Sequence, residues 1–512
     1  MSPTGTHKEY LKIGRATDLK GKDYLLYRAL EILPGALSWG TLILLFVFSL
    51  FFPVFSAYFV IAFAIYWIIK TVYLSMHLRH NWQRLKSNMS MDWKSMLSHM
   101  KYEHVRHLIL LPYYNESYEV IEKSIQALLN ASYDTQSMFV VLGGEERAGK
   151  ESYLIGKKIQ ELYGHHFGAF LVTSHPKDIE GEMPGKGSNI TYAAEQARVR
   201  ILDPHAVSYE EVIVSAFDVD SVAYPDYFNC LTWNFLTTPD PRKVSFQPVP
   251  FYNNNIWDAP ALSRIAATSS TFWQMIQQER PEKLATFSSH AVSFKALYDI
   301  GYWQVNMVSE DSRIYWNLFM AHDGDYDVVP ISYPVSMDAN LDGTFMKTMV
   351  SIYKQHRRWG YGCENIPYIL FNFIKNKKIP LHKKLSAAFV QIEGFWSLAT
   401  NPLIIFLLGW LPVLIGGHTF NSTVLSYNLP FITRDLMLFA MSGLILSAWI
   451  TISLLPPAPT KTHGNKKIFM VLQWVLFPLN VIIFSAIPGL EAQTRLMLGK
   501  YMGFWVTPKH RK

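Results

Sequence analysis

Thirty-eight consecutive residues, 32–69, contain no Asp, Glu, Lys or Arg. A helix crosses the bilayer core with ~20 residues, so this run is too long for one span. Pro53 falls near its middle and predicts a helical hairpin over 34–52 and 55–72. The segment before the hairpin carries Lys8, Lys12, Arg15, Lys20, Lys22 and Arg28, and the segment after it carries Arg79, Arg84, Lys86 and Lys94. The turn at 53–57 carries no charge. Basic residues gather on the cytoplasmic side, which places the N-terminus and residue 80 onward there. The first apolar run begins too late and runs too long for a secretory signal peptide, so none is expected.

Charged residues make up only 17% of the chain and apolar residues 50%, against ~25% charged in an average soluble domain. The chain therefore reads as part membrane and part soluble; disorder, collagen-like repeats and a small disulfide scaffold are excluded. The net charge of +7 is assigned to cytoplasmic loops, and no nucleic-acid partner is expected. The two cysteines, Cys230 and Cys363, stand outside any CxxC context, so neither a disulfide framework nor a cysteine zinc site is expected.

Three further apolar stretches cover about 387–415, 436–455 and 468–488. Residues 416–433 lack charge and suit an outside loop, whereas Lys461, Lys466 and Lys467 suit an inside loop. The tail, with Arg495, Lys500, Lys509, Arg511 and Lys512, also reads as inside. Both flanks of 468–488 then lie on one side, yet a single span changes sides. Three solutions stay open: a re-entrant 468–488 bent at Pro478, a 385–417 stretch bent at Pro402 into two short passes, or an outside tail. No internal repeat or low-complexity linker is evident.

Between the apolar regions, 107–335 alternates strands with helices. Strands are predicted at 107–112, 138–144, 169–173 and 211–217, and helices near 117–130, 150–163 and 187–201. This alternation implies a parallel sheet with helices on both faces. Ligands of such sheets bind beyond the carboxyl ends of the strands. There the chain places Tyr114-Asn115-Glu116 and Asp218-Val219-Asp220. Two carboxylates separated by one residue can hold Mg2+ or Mn2+ and share it with a phosphate; an ordinary polar turn reads the same way. Lys186 opens a helix and could contact a phosphate, or be a solvated loop residue. Ser309-Glu310-Asp311 offers a general base or a helix cap with acidic first-turn residues. Gln355-His356-Arg357-Arg358-Trp359 suits an anion and a sugar face, or a basic interfacial helix with an aromatic anchor.

Taken together and in this order, these motifs resemble the membrane-bound family 2 glycosyltransferases, which include the cellulose, chitin and hyaluronan synthases. The family pattern is DxD, (T/S)ED and QxxRW, met here by Asp218 and Asp220, by Asp311, and by Gln355, Arg358 and Trp359. Phe504-Trp505-Val506-Thr507-Pro508-Lys509 is similar to the FxVTxK gating loop of bacterial cellulose synthases. The resemblance covers roughly 30–512. It implies an α/β nucleotide-sugar-binding domain of GT-A type, cytoplasmic and inserted between transmembrane helices.

The implied divisions are a cytoplasmic segment (1–30), a transmembrane hairpin (31–75), a GT-A domain (100–365), interfacial and transmembrane helices (366–489), and an interfacial helix with a gating tail (490–512). The resemblance implies Mg2+ or Mn2+ on Asp218 and Asp220, and Asp311 as the base. Tyr114, Asn115, Glu116, Lys186, Gln355, Arg358, Trp359, Thr507 and Lys509 would contact substrate. The implied partners are a nucleotide sugar, UDP-linked in preference to GDP-linked, a glycan or glycolipid acceptor, and the lipid bilayer of the inner membrane. The implied reaction is an inverting sugar transfer to a growing β-linked glycan. The family usually places an Asp after strand two against the nucleotide base; here Glu145 or Glu146 stands in its place. The spans that follow the FxVTxK motif in cellulose synthases, and a cyclic-di-GMP-binding domain, are not expected. Single addition to a lipid or isoprenoid-phosphate acceptor is the nearest alternative. A non-enzymatic channel or transporter would account for the spans but not for the α/β insert and its motifs.

Overall fold

The computed structural model describes residues 9–441, 443–457 and 465–507. Lys8, Lys461, Pro508, Lys509, Arg511 and Lys512 lie outside the described residues.

Two long helices, Gly21–Phe51 and Pro53–Ser90, meet at Phe52. Pro53 opens the second, where its missing N–H would have had no partner anyway. The segments 34–52 and 55–72 are thus the apolar parts of longer helices. Among the described residues, three helices are long and apolar enough to cross a bilayer: these two and Ile468–Met497. Leu381–Phe406 and Leu408–Ile415, bent by 51°, form a fourth candidate if the pair is one span. That bend falls at Leu407, not at Pro402, which the helix passes straight through.

Two features of the C-terminal half go beyond what the charge pattern describes. The uncharged stretch 416–433 is mostly helical, in Gly417–Asn421 and Val424–Met441. Phe420 and Leu429 are buried against Ala57 and Ile61 of the second long helix, and this packing holds the stretch in helical form. The segment from 490 is no separate helix either: the run from Ile468 continues through Pro478 to Met497. Its polar residues find partners. Glu491 accepts hydrogen bonds from Tyr353 Oη at 2.7 Å and Arg357 Nη1 at 2.7 Å, both from the helix Phe345–Gly360.

The soluble region is built on one eight-stranded sheet: β1 Arg106–Pro112, β2 Met138–Glu145, β3 Ala169–His175, β4 Val212–Ala216, β5 Val222–Ala223, β6 Val244–Tyr252, β7 Ala291–Ser293 and β8 Asp327–Met337. Their order is β3-β2-β1-β4-β7-β6-β8-β5. β1 to β4 are parallel, as the alternation of strands and helices predicts. Beyond them the sheet is mixed, not parallel throughout, because β7 runs antiparallel to both β4 and β6. Alternate residues of the central strands enter two cores. Leu108, Leu110, Val141 and Val214 pack with Ile190 and Ala194 of the helix Lys186–Ala197. Ile109, Leu111, Val140 and Ile213 pack with Ile121 and Ile125 of the helix Tyr118–Leu129.

The second long helix also clamps the sheet. Ser332 in β8 has φ +42°, a left-handed value that non-glycine residues adopt rarely. Asn81 reaches its Oγ at 3.1 Å, Asn88 donates to the Ile331 and Ser332 carbonyls at 3.1 and 3.2 Å, and Gln278 accepts its N–H at 2.9 Å.

Candidate active site

The functional candidates gather where β1, β2 and β4 end. After β1, the Tyr113 N–H bonds the Gly143 carbonyl at 2.8 Å, which holds the two strand ends together. Glu116 turns back to accept the Tyr114 N–H at 2.7 Å. The Arg147 guanidinium lies 4.4 Å from the centre of the Tyr114 ring. Asn115 is exposed. At the end of β2, Glu145 is buried and paired with Arg147, whose Nη2 lies 3.1 Å from Oε1. Glu146 is exposed and accepts the Lys177 N–H at 3.1 Å.

The centre of the cleft is Lys186, the first residue of its helix. Its Nζ lies 2.8 Å from Asp218 Oδ1 and 3.0 Å from Asp311 Oδ1. Three remote segments therefore meet on one ammonium group. Burial alone would lower the lysine's pKa, but Asp218, Asp311 and Glu310 outweigh it and raise it above the ordinary lysine value. Asp218 also accepts the Ser288 hydroxyl at 2.7 Å. Asp220 is fully buried, and its Oδ2 accepts the Asp338 N–H at 2.9 Å.

Asp218 and Asp220 offer only hard oxygen donors, the chemistry that Mg2+ and Mn2+ prefer. Among the described residues, no three His, Cys, Asp or Glu side chains form a metal-holding group. A cation on these carboxylates would thus need further oxygens from a phosphate or water. That fits Mg2+, which is commonly bound by one or two carboxylates and a substrate phosphate.

Asp311 sits in the first turn of the helix Glu310–Ala321, with its side chain 21% exposed toward the cleft. The turn before it is held from behind. Glu364 Oε1 accepts the Val308 N–H at 3.1 Å, the Ser309 N–H at 2.9 Å and the Ser309 hydroxyl at 2.8 Å. Buried Arg313 donates to Asn365 at 2.6 Å and to Gln304 at 3.0 Å. His290 Nδ1 stands 3.7 Å from Asp311 Oδ1, but it donates to the Phe287 carbonyl at 2.8 Å. His290 Nε2 accepts from Trp303 Nε1 at 3.1 Å. Both bonds require the neutral Nδ1–H imidazole, and burial lowers its pKa accordingly. His290 is therefore a fixed neutral neighbour of Asp311. Glu310 is buried too, and burial followed by the Asp311 charge pushes its pKa up to about 8.

The third motif lies on the helix Phe345–Gly360. Gln355 accepts a hydrogen bond from Asn340 Nδ2 at 3.3 Å. Trp359 packs against Tyr252 and Phe287, with ring centres 6.0 Å away in each case. Arg358 lies against the tail, its guanidinium 4.8 Å from the centre of the Phe504 ring. No carboxylate of the described residues is within ion-pair distance of Arg358. Phe504 also packs on Gly185, where an added Cβ would come within 2.6 Å of the ring. The tail thus reaches the start of the Lys186 helix. Thr507 is buried, and its hydroxyl has no hydrogen-bond partner among the described residues.

The structure brings Lys186, Asp218 and Asp311 into direct contact, with Arg358 joined to the tail beside them. Tyr114, Asn115 and Glu116 stand at the end of β1, beside Arg147. Sequence reasoning missed Ser288, His290, Trp303, Arg147, Arg313 and Glu364 as parts of the site. Only Glu364 carried a usable signal, as the one charged residue between Arg358 and Lys375.

Residues 213–458 match the profile of the Glycosyl transferase family group 2. Over that stretch the chain is similar to the family 2 glycosyltransferases, and it is a glycosyltransferase. A poly-beta-1,6-N-acetyl-D-glucosamine synthase of Staphylococcus epidermidis is 25% identical over 387 residues, covering 75% of this chain and 79% of that one. A synthase of the same name from Staphylococcus aureus (strain COL) is 25% identical over 341 residues, covering 65% and 69%. Among solved structures, the mannosyltransferase PcManGT from Pyrobaculum calidifontis, in complex with GDP-Man and Mn2+, aligns with TM-score 0.44 at 13% identity over 86% of this chain and 99% of that one. S. aureus TarS 1–349 in complex with UDP-GlcNAc aligns with TM-score 0.37 at 12% identity over 68% and 91%.

Proposed function

We propose that the protein transfers N-acetylglucosamine from UDP-N-acetylglucosamine to a growing β-linked glycan, with inversion, at the cytoplasmic face of the inner membrane. The observation that carries this reading is the Lys186 contact: one buried ammonium group touches both Asp218 of the DxD and Asp311 of the SED. It puts the charge that neutralises a diphosphate beside the carboxylate that accepts a proton. The names of the curated relatives support the sugar and the polymer.

Asp311 takes the proton from the acceptor hydroxyl as its oxygen attacks the anomeric carbon. The bond from that carbon to the diphosphate oxygen breaks on the opposite face, and UDP leaves with the bonding pair. An α-linked donor therefore gives a β-linked product. Lys186 and Arg358 stabilise the charge that develops on the leaving diphosphate. Mg2+ or Mn2+, held by Asp218 and Asp220, would supply further neutralisation of the diphosphate. Trp359 offers its face to the acceptor sugar, and Thr507 completes the donor side. The domain over 100–365 is the catalytic unit and faces the cytoplasm.

The test is a donor screen with protein purified in detergent and supplied with Mn2+. UDP-N-acetylglucosamine, UDP-glucose and GDP-mannose are compared by released nucleoside diphosphate and by product length on a gel. UDP release with a ladder of products is expected. Release from GDP-mannose alone would overturn the donor, and a single-sugar product would favour the lipid-acceptor alternative.

A further inference from the structure

The stretch before the first long helix lies against the catalytic domain. Its backbone carbonyls accept hydrogen bonds from residues around the catalytic turn. Lys12 O accepts from Gln304 Nε2 at 3.2 Å, and Ile13 O accepts from Arg313 Nη1 at 3.0 Å. Asp18 Oδ2 accepts from Asn306 Nδ2 at 3.2 Å. The segment 304–306 that it holds touches the lysine loop as well: the Met183 N–H donates to Val305 O at 2.8 Å, and an added Cβ on Gly187 would meet Gln304 O at 2.9 Å.

The same stretch is tied to the root of the tail through one buried carboxylate. Glu31 is 1% exposed. Its Oε1 accepts the Ala16 N–H at 2.8 Å, its Oε2 pairs with Arg28 Nη1 at 2.6 Å, and Tyr501 Oη donates to Oε2 at 2.9 Å. Arg28 donates in turn to the Leu496 carbonyl at 2.9 Å and to the Met497 carbonyl, and so caps the helix that ends there. The Arg15 guanidinium lies 5.3 Å from the centre of the Tyr501 ring. Three residues beyond Tyr501, Phe504 meets Arg358 and Gly185.

We infer that Glu31 is a positioning residue for sugar transfer: it fastens the N-terminal stretch 11–18 to the tail root, so that the turn carrying Asp311 and the tail carrying Phe504 are held in register by one strap. A buried carboxylate with three partners from three segments loses all three when truncated, and a buried hydrogen-bonded charge is costly to leave unmade. Glu31 touches neither donor nor acceptor; it acts through Ala16, Arg28 and Tyr501.

The test uses the full chain in detergent. The native cysteines, Cys230 and Cys363, are both buried, so maleimide reads an introduced cysteine over a low background. Met502→Cys reports on the tail root and Val308→Cys on the catalytic turn, since both side chains are buried. Each is combined with Glu31→Gln, Glu31→Ala and Tyr501→Phe. With Glu31→Ala we expect labelling at both reporters to rise about tenfold, and the donor KM to rise by a similar factor. Glu31→Gln, which can still accept from Ala16 and Tyr501, should fall between Glu31→Ala and wild type. A purely structural role would lower the active fraction and leave donor KM unchanged, which would overturn the inference. Exposure of position 502 without position 308 would overturn the coupling. If Glu31→Ala does not fold, Tyr501→Phe decides: its tail reporter must label faster than in wild type, and equal rates would overturn the inference. The labelling readout needs no donor, so its failure is distinct from failure of the proposed activity.

Discussion

Arg358 and Phe504 are 146 residues apart in the chain, yet the guanidinium of one lies 4.8 Å from the ring centre of the other. The cation is presented to the cleft with an aromatic ring on one side and no carboxylate pair among the described residues. Its charge also acts on buried Glu310, whose pKa it lowers.

The tail contact is sensitive to one methyl group. Gly185→Ala brings a Cβ within 2.6 Å of the Phe504 ring, so the ring must leave Arg358 and the start of the Lys186 helix. We expect a several-fold rise in donor KM, and Phe504→Ala should produce the same change. Wild-type steady-state kinetics in Gly185→Ala would show that the tail makes no contribution to the donor site.

Asp311→Asn keeps the shape of the side chain that we propose as the base and so isolates proton transfer. Asp311→Asn should lower turnover ~10²–10⁴-fold, the usual range of general-base catalysis, with nucleoside diphosphate affinity little changed. Isothermal calorimetry and initial rates measure the two separately. Turnover within about threefold of wild type would reduce Asp311 to a helix-capping residue.

Asp220 is buried and bonded to the Asp338 N–H. Asp220→Asn keeps a side-chain oxygen for that bond but removes the charge. We expect UDP binding to lose its dependence on Mn2+ in calorimetry. Unchanged metal-dependent affinity would exclude Asp220 as a ligand.

Glu310 governs a pH effect on stability. Its folded-state pKa is raised from the ordinary 4.5 to about 8 by burial and by Asp311. Across that interval the folded protein keeps a proton that the unfolded chain has released. Stability from this group is full below about pH 4.5 and is lost as the pH rises through 8. Thermal melts of Glu310→Gln should therefore fall less steeply between pH 5 and 8 than those of wild type. Parallel melting curves would mean that Glu310 is ionised in both states.

The parts of this protein legible in its sequence are those with local periodicity. β1 to β4 are short apolar runs between helices, and each was bounded to within two residues. β7 has three residues and no periodicity of its own; it exists because β4 and β6 flank it, so the mixed sheet was invisible. Lys186, Asp218 and Asp311 are marked by their motifs, but their meeting on one ammonium group is a tertiary fact. His290 and Trp303 carry no motif. Their role comes from a mutual hydrogen bond that fixes a tautomer, and nothing in residue order announces such a bond. The stretch 416–433 suits an outside loop by its lack of charge, a pattern that says nothing of its shape, whereas its buried Phe420 and Leu429 pack it as helix.

The helix Pro53–Ser90 has 38 residues. At 1.5 Å per residue it is ~57 Å long, about twice the ~30 Å hydrocarbon thickness of a bilayer. Its apolar half is long and apolar enough to cross that core, and its far half grips β8 through Asn81 and Asn88. The catalytic cleft thus stands at a height fixed by residue count and at an azimuth fixed by helical phase. One residue inserted between the two halves would turn the cleft by ~100° over the membrane, whereas seven would nearly restore its bearing and raise it by ~10 Å.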